Sequence, residues 1–158
     1  MDDKPDTLFL QQAIELATQS VARGGGPFGA VVVKNETIIG RGQNQVTLIN
    51  DPTAHAEVMA IRDACKNINN FSLDGCVLYA SCEPCPMCMS SIYWARIKRI
   101  IYAASSDDAA QAGFDDSFIA AEICKPYDQR SINIKQYDCE KKTQSFEHWN
   151  TKEDKNPY

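Results

Sequence analysis

The sequence predicts an α/β fold in which helices cover both faces of one sheet. Short β-rich runs alternate with helix-forming segments along the chain, and this alternation is typical of layered α/β domains. The 158 residues are 44% hydrophobic, which is enough for one well-buried core. No Pro-, Gly- or Ser-rich linker interrupts the pattern. We therefore predict a single domain over residues 1–158, in which residues from about 140 onward form a polar C-terminal tail.

Five β-rich runs bounded by turn residues are the candidate strands. They are Phe28–Val33, Thr37–Gly42, Cys76–Ala80, Arg99–Ala103 and Ser131–Lys135. Only three residues separate the first two runs, so we expect these strands to form an antiparallel hairpin.

Apolar residues at helical spacing predict helices between these strands. The predicted helices are Thr7–Arg23, Ala54–Ala64, Ser90–Ala95, Ser117–Ile123 and the polar tail from Glu140 to Tyr158. Asp6 is the expected N-cap of the first helix, and Gly24–Pro27 is its expected end.

Charge and cysteine usage restrict the class of partner and the compartment. The formal net charge is −5, whereas a nucleic-acid channel needs clustered cations to neutralise phosphates. We therefore expect a small-molecule substrate and no nucleic-acid partner. The seven cysteines, the absence of a signal-peptide pattern and the absence of an apolar run near ~20 residues favour a reducing cytoplasm without membrane attachment.

Two short motifs predict a catalytic zinc site. His55-Ala56-Glu57 is followed, 27 residues after the glutamate, by a Pro-Cys-x-x-Cys motif that contains Cys85 and Cys88. One imidazole and two thiolates would hold one zinc ion per subunit and leave a fourth position for water. Glu57 would move a proton from that water to a departing amine. This pair of motifs is typical of zinc-dependent nucleobase deaminases and predicts hydrolytic deamination.

Several alternatives to this interpretation stay open. Cys85 and Cys88 alone could form a redox pair or half of a structural zinc site, and Cys82 extends them to a run that resembles part of an iron–sulfur motif. We treat Cys82 as a packing residue. Glu83 is either a second proton-handling group or an acid favoured by a helix N-terminus. A non-catalytic zinc-binding module is the alternative from a different functional class.

Beyond the zinc motifs, the sequence resembles the bacterial guanine deaminases of the cytidine deaminase-like superfamily. The most specific stretch is Ala112–Ile119, with the sequence AGFDDSFI. The stretches that carry the resemblance are Gly25–Val31, Asn50–Glu57, Ser81–Cys88, Ile92–Arg96 and Ala112–Ile119. The family implies a three-layer αβα sandwich around a five-stranded mixed sheet, and a homodimer with exchanged C-terminal segments.

The resemblance also implies roles for individual residues. Asn44 resembles the asparagine that hydrogen-bonds the purine, and Phe28 resembles the ring that packs on the base. Asp116, next to Asp115, resembles the acid that recognises the amino and imino edge of the base. Tyr158 resembles a tyrosine that caps the site from the partner subunit.

These roles imply deamination of guanine to xanthine and ammonia. Guanosine and other aminated heterocycles such as triazines are alternative substrates. A tRNA adenosine deaminase shares the zinc core, but the acidic charge balance and the Ala112–Ile119 stretch argue against that activity.

Overall fold

The computed structural model describes residues 4–158. Its helices are α1 Lys4–Ala22, α2 Val46–Ile49, α3 Ala56–Ile68, α4 Pro86–Trp94, α5 Ser106–Gln111, α6 Ser117–Cys124 and α7 Gln144–Thr151, and its strands are β1 Gly29–Lys34, β2 Thr37–Gln43, β3 Val77–Cys82 and β4 Arg99–Ala104. The chain divides into two compact units, one ending at Ala120 and the other spanning Ala121–Tyr158.

The first unit contains a mixed four-stranded sheet with the order β2-β1-β3-β4. Strands β1 and β2 form the predicted antiparallel hairpin, and its two turn residues, Asn35 and Glu36, both have positive φ. This conformation matches the twist of the flanking strands. Strand β1 also pairs antiparallel with β3, whereas β3 and β4 run parallel.

Helices cover both faces of this sheet, as predicted. Alternate residues of β1 point to opposite sides: Ala30 and Val32 pack with α3 and α4, whereas Val31 and Val33 pack with α1. All four side chains are buried. A strand that is buried on both faces consists of consecutive apolar residues, which explains the apolar run in β1. The α/β sandwich with helices on both faces is therefore confirmed.

Two glycines allow α3 to lie very close to β2. A Cβ atom on Gly42 would come within 2.0 Å of the Ala56 carbonyl oxygen, and one on Gly40 within 2.4 Å of the Ala60 carbonyl oxygen. Only glycine permits this approach without moving the backbone. Side chains of α3 also bind the outer edge of β2, because Asp63 accepts the Arg41 amide proton at 2.9 Å. The start of α3 is thereby held in place over the sheet.

The predicted five-stranded sheet is not confirmed. Over residues 4–158 the sheet has four strands, and residues 131–135 form none. Ile132 and Ile134 alternate as a strand requires, but both are exposed, at 73% and 42%. A strand forms only where a neighbouring edge pairs with its backbone groups, and sequence alternation does not report such a neighbour.

Two smaller expectations also differ from the structure, and two short helices were not expected. Asp6 is not the N-cap of α1 but lies inside the helix, where its carboxylate accepts a hydrogen bond from the Tyr79 hydroxyl and pairs with Arg99. The tail is helical only over Gln144–Thr151. The short helices α2 and α5 were not predicted, because six residues or fewer show little periodicity.

The second unit contains the end of α6, a short 3₁₀ turn at Tyr127–Gln129 and α7. Arg130 donates to the carbonyl oxygens of Ile123 and Lys125, so it binds the last turn of α6. Large apolar side chains of this unit, including Tyr137 and Phe146, are exposed. None of the helices described is long and apolar enough to cross a membrane.

Candidate active site

The predicted zinc ligands lie at the starts of two helices. His55 is the residue before α3, with extended backbone angles, and Cys85 holds the same position before α4. Pro86 occupies the first position of α4, where a missing amide proton costs nothing, and Cys88 follows in the first turn. Helix N-termini favour negative charge, so this placement stabilises thiolates.

The three ligand atoms are spaced as a tetrahedral zinc site requires. The His55 Nδ1 atom lies 3.5 Å from the Sγ atoms of both Cys85 and Cys88, and all three ligand atoms lie within 4.8 Å of one another. Zn–S bonds of about 2.3 Å and Zn–N bonds of about 2.0–2.1 Å at a tetrahedral angle give an N···S separation of about 3.5 Å. The residues therefore fit zinc, and Cys82 lies outside this group.

The electrostatics of the two thiols are coupled. Hydrogen bonds from Cys88 and His55 lower the pKa of the Cys85 thiol to about 4, so Cys85 is a thiolate at neutral pH. The hydrogen bond to Cys85, together with burial, raises the pKa of Cys88. The hydrogen bond with Cys85 also raises the pKa of His55. Metal binding therefore has to displace protons from this group, as it does at other thiolate sites.

Glu57 lies beside the ligands in the first turn of α3 and is only 8% exposed. Burial raises the pKa of its carboxyl group, and a hydrogen bond with Cys88 opposes this shift. A carboxyl group with a raised pKa takes up a proton more readily than an exposed one, and carboxyl groups act as general acids and bases. This is the property that the proposed proton carrier needs.

A cavity of about 450 Å³ opens above these residues. Its volume is within the usual range for small-molecule sites. All predicted site residues of the first unit except Cys88 line it: Phe28, Asn44, His55, Glu57, Glu83, Cys85, Asp115 and Asp116. Tyr158 belongs to the second unit, where its side chain is 75% exposed.

Asn44 is held at the cavity wall by several backbone contacts. Its amide donates to the Phe28 carbonyl, and its own carbonyl accepts the Ser20 hydroxyl proton. The Oδ1 atom accepts the Val46 amide at 3.3 Å, and the side chain is buried. Among the described residues we find no acceptor for the Nδ2 atom, which is therefore the group left to donate to a ligand.

Another part of the cavity lining is formed by the segment between α5 and α6. Phe114 packs edge-on against Phe28, with ring centroids 5.0 Å apart. Asp116 is half-buried, and burial, followed by the charge of Cys85, raises the pKa of its carboxyl group. Asp115 instead accepts the Ser117 amide proton at 2.9 Å. Hydrogen bonding to the Ser117 side chain, followed by this amide bond, lowers the pKa of Asp115.

Several cavity residues were not predicted from the sequence. Phe114 appeared only within a family stretch, and Gly24–Gly26 appeared only as a helix end and, for its last two residues, within another family stretch. Gly26 packs against the side-chain amide of Asn44, where a Cβ atom would come within 3.1 Å. The pattern Ser105-x-x-Asp108, which forms a capping box, could have revealed α5.

Comparison with known protein families also indicates a zinc site. Residues 3–104 match the family model for the cytidine and deoxycytidylate deaminase zinc-binding region. The chain belongs to this deaminase family. The matched residues include both ligand motifs and Glu57, and the match ends at the last residue of strand β4.

Comparison with individual relatives shows which members of the family this chain resembles over its whole length. A guanine deaminase from Bacillus subtilis is 54% identical over 151 residues, which are 95% of this chain and 97% of the relative. The crystal structure of a guanine deaminase from Bacillus subtilis superposes with a TM-score of 0.93 and 54% identity, covering 96% of this chain and 98% of that chain. A tRNA-specific adenosine deaminase from Aquifex aeolicus is 42% identical over 96 residues, which are 61% of this chain and 64% of the relative.

Proposed function

We propose that this protein is a zinc-dependent guanine deaminase that converts guanine and water to xanthine and ammonia. One observation carries the proposal: the 54% identity to a guanine deaminase extends over 95% of the chain and so includes both the metal site and the substrate side of the cavity. The match to a tRNA-specific adenosine deaminase covers only 61% of the chain.

We assign one zinc ion per subunit to His55, Cys85 and Cys88, whose spacing fits tetrahedral coordination. Bound zinc lowers the pKa of a coordinated water to about 7 and so supplies a nucleophile at neutral pH. The fourth position has to stay open for that water, which is consistent with Cys82 lying outside the ligand group.

Glu57 carries the protons in this proposal. It accepts one proton from water as the oxygen attacks C2 of guanine, and it delivers this proton to N3 of the ring. It then transfers the second water proton to the amino group, which leaves as ammonia. The two transfers balance the reaction, and the raised pKa of Glu57 suits a group that alternates between the two protonation states.

The cavity walls recognise the base. Phe28 and Phe114 supply an aromatic surface for a planar ring, the Nδ2 atom of Asn44 is free to donate, and the Asp116 carboxylate can accept from the amino and imino edge. Buried polar groups that lose their partners penalise the wrong base strongly, so Asp116 and Asn44 carry much of the specificity.

We also propose that the 158 residues act as one functional domain in a homodimer with exchanged C-terminal tails. The tail contains exposed apolar side chains, and strand β4 lies at the end of the sheet. Residues 131–135 would then form the fifth strand, and the partner's Tyr158 would cap the cavity. Because the paired thiols must stay reduced to bind metal, we place the protein in a reducing cytoplasm.

A substrate panel tests the proposed activity. Ammonia release would be measured for guanine, guanosine, adenine, cytosine and a triazine, with zinc content determined on the same samples. We expect guanine to give the highest kcat/KM, with xanthine as the product. If only guanosine released ammonia, the protein would be a nucleoside deaminase. If the protein bound stoichiometric zinc but released ammonia from no substrate, it would be a non-catalytic zinc-binding module.

A further inference from the structure

We propose that Glu83 is a positioning residue that holds α5, and through it the residues Phe114 and Asp116, against the base-binding cavity. The inference rests on the proposed function, because it concerns how the guanine site is shaped. It assigns Glu83 a role in placing the cavity wall and no role in proton transfer.

Glu83, next to the end of β3, makes one hydrogen bond to the end of β4 and one to the start of α5. Its backbone amide donates to the Ala104 carbonyl at 2.9 Å, which extends the parallel pairing of β3 and β4 by one residue. Its carboxylate accepts the Ser106 amide proton at 3.1 Å. The neighbouring Cys82 thiol donates to the Ser105 carbonyl at 3.4 Å. The connection between β4 and α5 is thus tied to the strand that leads into the zinc motif.

The Ser106 amide needs an acceptor from outside its own helix. The first amide groups of a helix have no intrahelical partner. In α5 the capping box satisfies the Asp108 amide through the Ser105 hydroxyl, at 3.2 Å. Ser106 is the first residue of α5, and Glu83 supplies its acceptor from another part of the chain. A carboxylate at this end also interacts favourably with the helix dipole.

A shift of α5 would reach the base-binding residues directly. The helix has only six residues and is followed by Gly113, which has a φ of +94°. The Phe114 amide donates to the Ala109 carbonyl within the helix at 2.9 Å, while its ring contacts Phe28. Asp116 follows two residues later and lines the cavity. The position of α5 therefore affects where Phe114 and Asp116 lie in the cavity lining.

The position of Glu83 also argues against a proton-transfer role. Its side chain is exposed and its carboxylate is engaged by the Ser106 amide, whereas Glu57 is buried beside the zinc ligands. Glutamine separates the two roles, because it keeps an acceptor oxygen of the same reach but cannot carry a proton. Asp107 offers a matched control, since it is an acid in the same helical turn whose carboxylate does not accept the Ser106 proton.

The test compares Glu83→Ala, Glu83→Gln and Asp107→Ala in the zinc-loaded protein. We expect Glu83→Ala to raise KM for guanine about tenfold or more, with a smaller effect on kcat and unchanged zinc content, since small displacements of binding groups have effects of this size. Glu83→Gln and Asp107→Ala should stay close to the wild type. Equal damage by Gln and Ala would indicate proton transfer and overturn the proposal.

Hydrogen exchange without substrate separates this inference from the proposed activity. Glu83→Ala should speed amide exchange across residues 106–116, and Glu83→Gln should not. Unchanged exchange in Glu83→Ala would overturn the positioning role whatever the substrate is. Faster exchange in a protein that does not deaminate guanine would contradict only the proposed substrate.

Discussion

At the scale of single residues, the side chains of the candidate site divide between metal binding, proton transfer and base recognition. His55, Cys85 and Cys88 provide three ligand atoms at zinc spacing, and Glu57 provides a buried carboxyl group with a raised pKa beside them. Asp116 lies apart from the ligand group, half-buried in the cavity wall. Catalysis and base recognition are therefore assigned to separate groups, and variants can separate them.

Replacing Asp116 by alanine should lower kcat/KM for guanine by about tenfold or more, because a hydrogen bond to a charged group contributes about 1.5–3 kcal/mol. Zinc content and thermal stability should change little, since Asp116 is not in the ligand group. Asp115→Ala should cost less activity, because the Asp115 carboxylate is already engaged by the Ser117 amide. Steady-state kinetics with guanine would measure both effects, and wild-type kinetics for Asp116→Ala would remove Asp116 from base recognition.

The ligand group could be predicted from the sequence because each of its two motifs lies within a few consecutive residues. The spacing within His55-Ala56-Glu57 and between Cys85 and Cys88 places these groups at two helix starts, and coordination chemistry then restricts the metal. The role of Phe114 was not predicted, because its contact with Phe28 depends on the fold between residues far apart in the chain. An isolated phenylalanine in a sequence carries no comparable pattern.

At the scale of elements, the close packing of α3 on β2 keeps His55 and Glu57 in place. This packing depends on the absence of side chains at Gly40 and Gly42, as the distances to the α3 backbone show. The longer helices and the first four strands were predicted from periodicity. Helix α5 was missed because it has only six residues. The strand at 131–135 is not confirmed in the described chain, because an alternating sequence does not show whether a neighbouring strand is present to pair with it.

Replacing Gly42 by alanine should destabilise the fold by about 1–3 kcal/mol and lower kcat. The added Cβ would come within 2.0 Å of the Ala56 carbonyl oxygen, so α3 must move and take Glu57 with it. Gly75→Ala is the control: it strains a φ of +78° but meets no atom within 4 Å. It should lower stability by about 1–2 kcal/mol without changing kcat. Denaturant unfolding and guanine kinetics check both variants, and a Gly42→Ala variant with wild-type kcat would contradict this account.

At the scale of the whole molecule, the chain consists of two compact units, and the second contains most of the C-terminal residues beyond the family match. The near-complete match to a guanine deaminase includes the tail, whereas the family model for the zinc-binding region ends at residue 104. An exchanged tail would explain its exposed apolar side chains.

Complementation between two inactive variants tests the exchange. Glu57→Ala keeps its tail, and Tyr158→Ala keeps its Glu57. If tails are exchanged, a heterodimer has one site that combines Glu57 of one subunit with the partner's Tyr158. Co-expression should then restore guanine deamination well above that of either variant alone, with a dimer in light scattering. A monomer, or a heterodimer without restored activity, would contradict the exchanged tail.

In the proposed mechanism, Glu57 moves protons for a reaction at a zinc site formed by His55, Cys85 and Cys88. The most direct test is xanthine formation from guanine by Glu57→Ala, with bound zinc quantified in the same preparation. This mechanism predicts wild-type zinc content and turnover lowered by at least about a hundredfold, since general acid–base catalysis contributes about 10²–10⁴-fold. Wild-type xanthine production by zinc-loaded Glu57→Ala would contradict it.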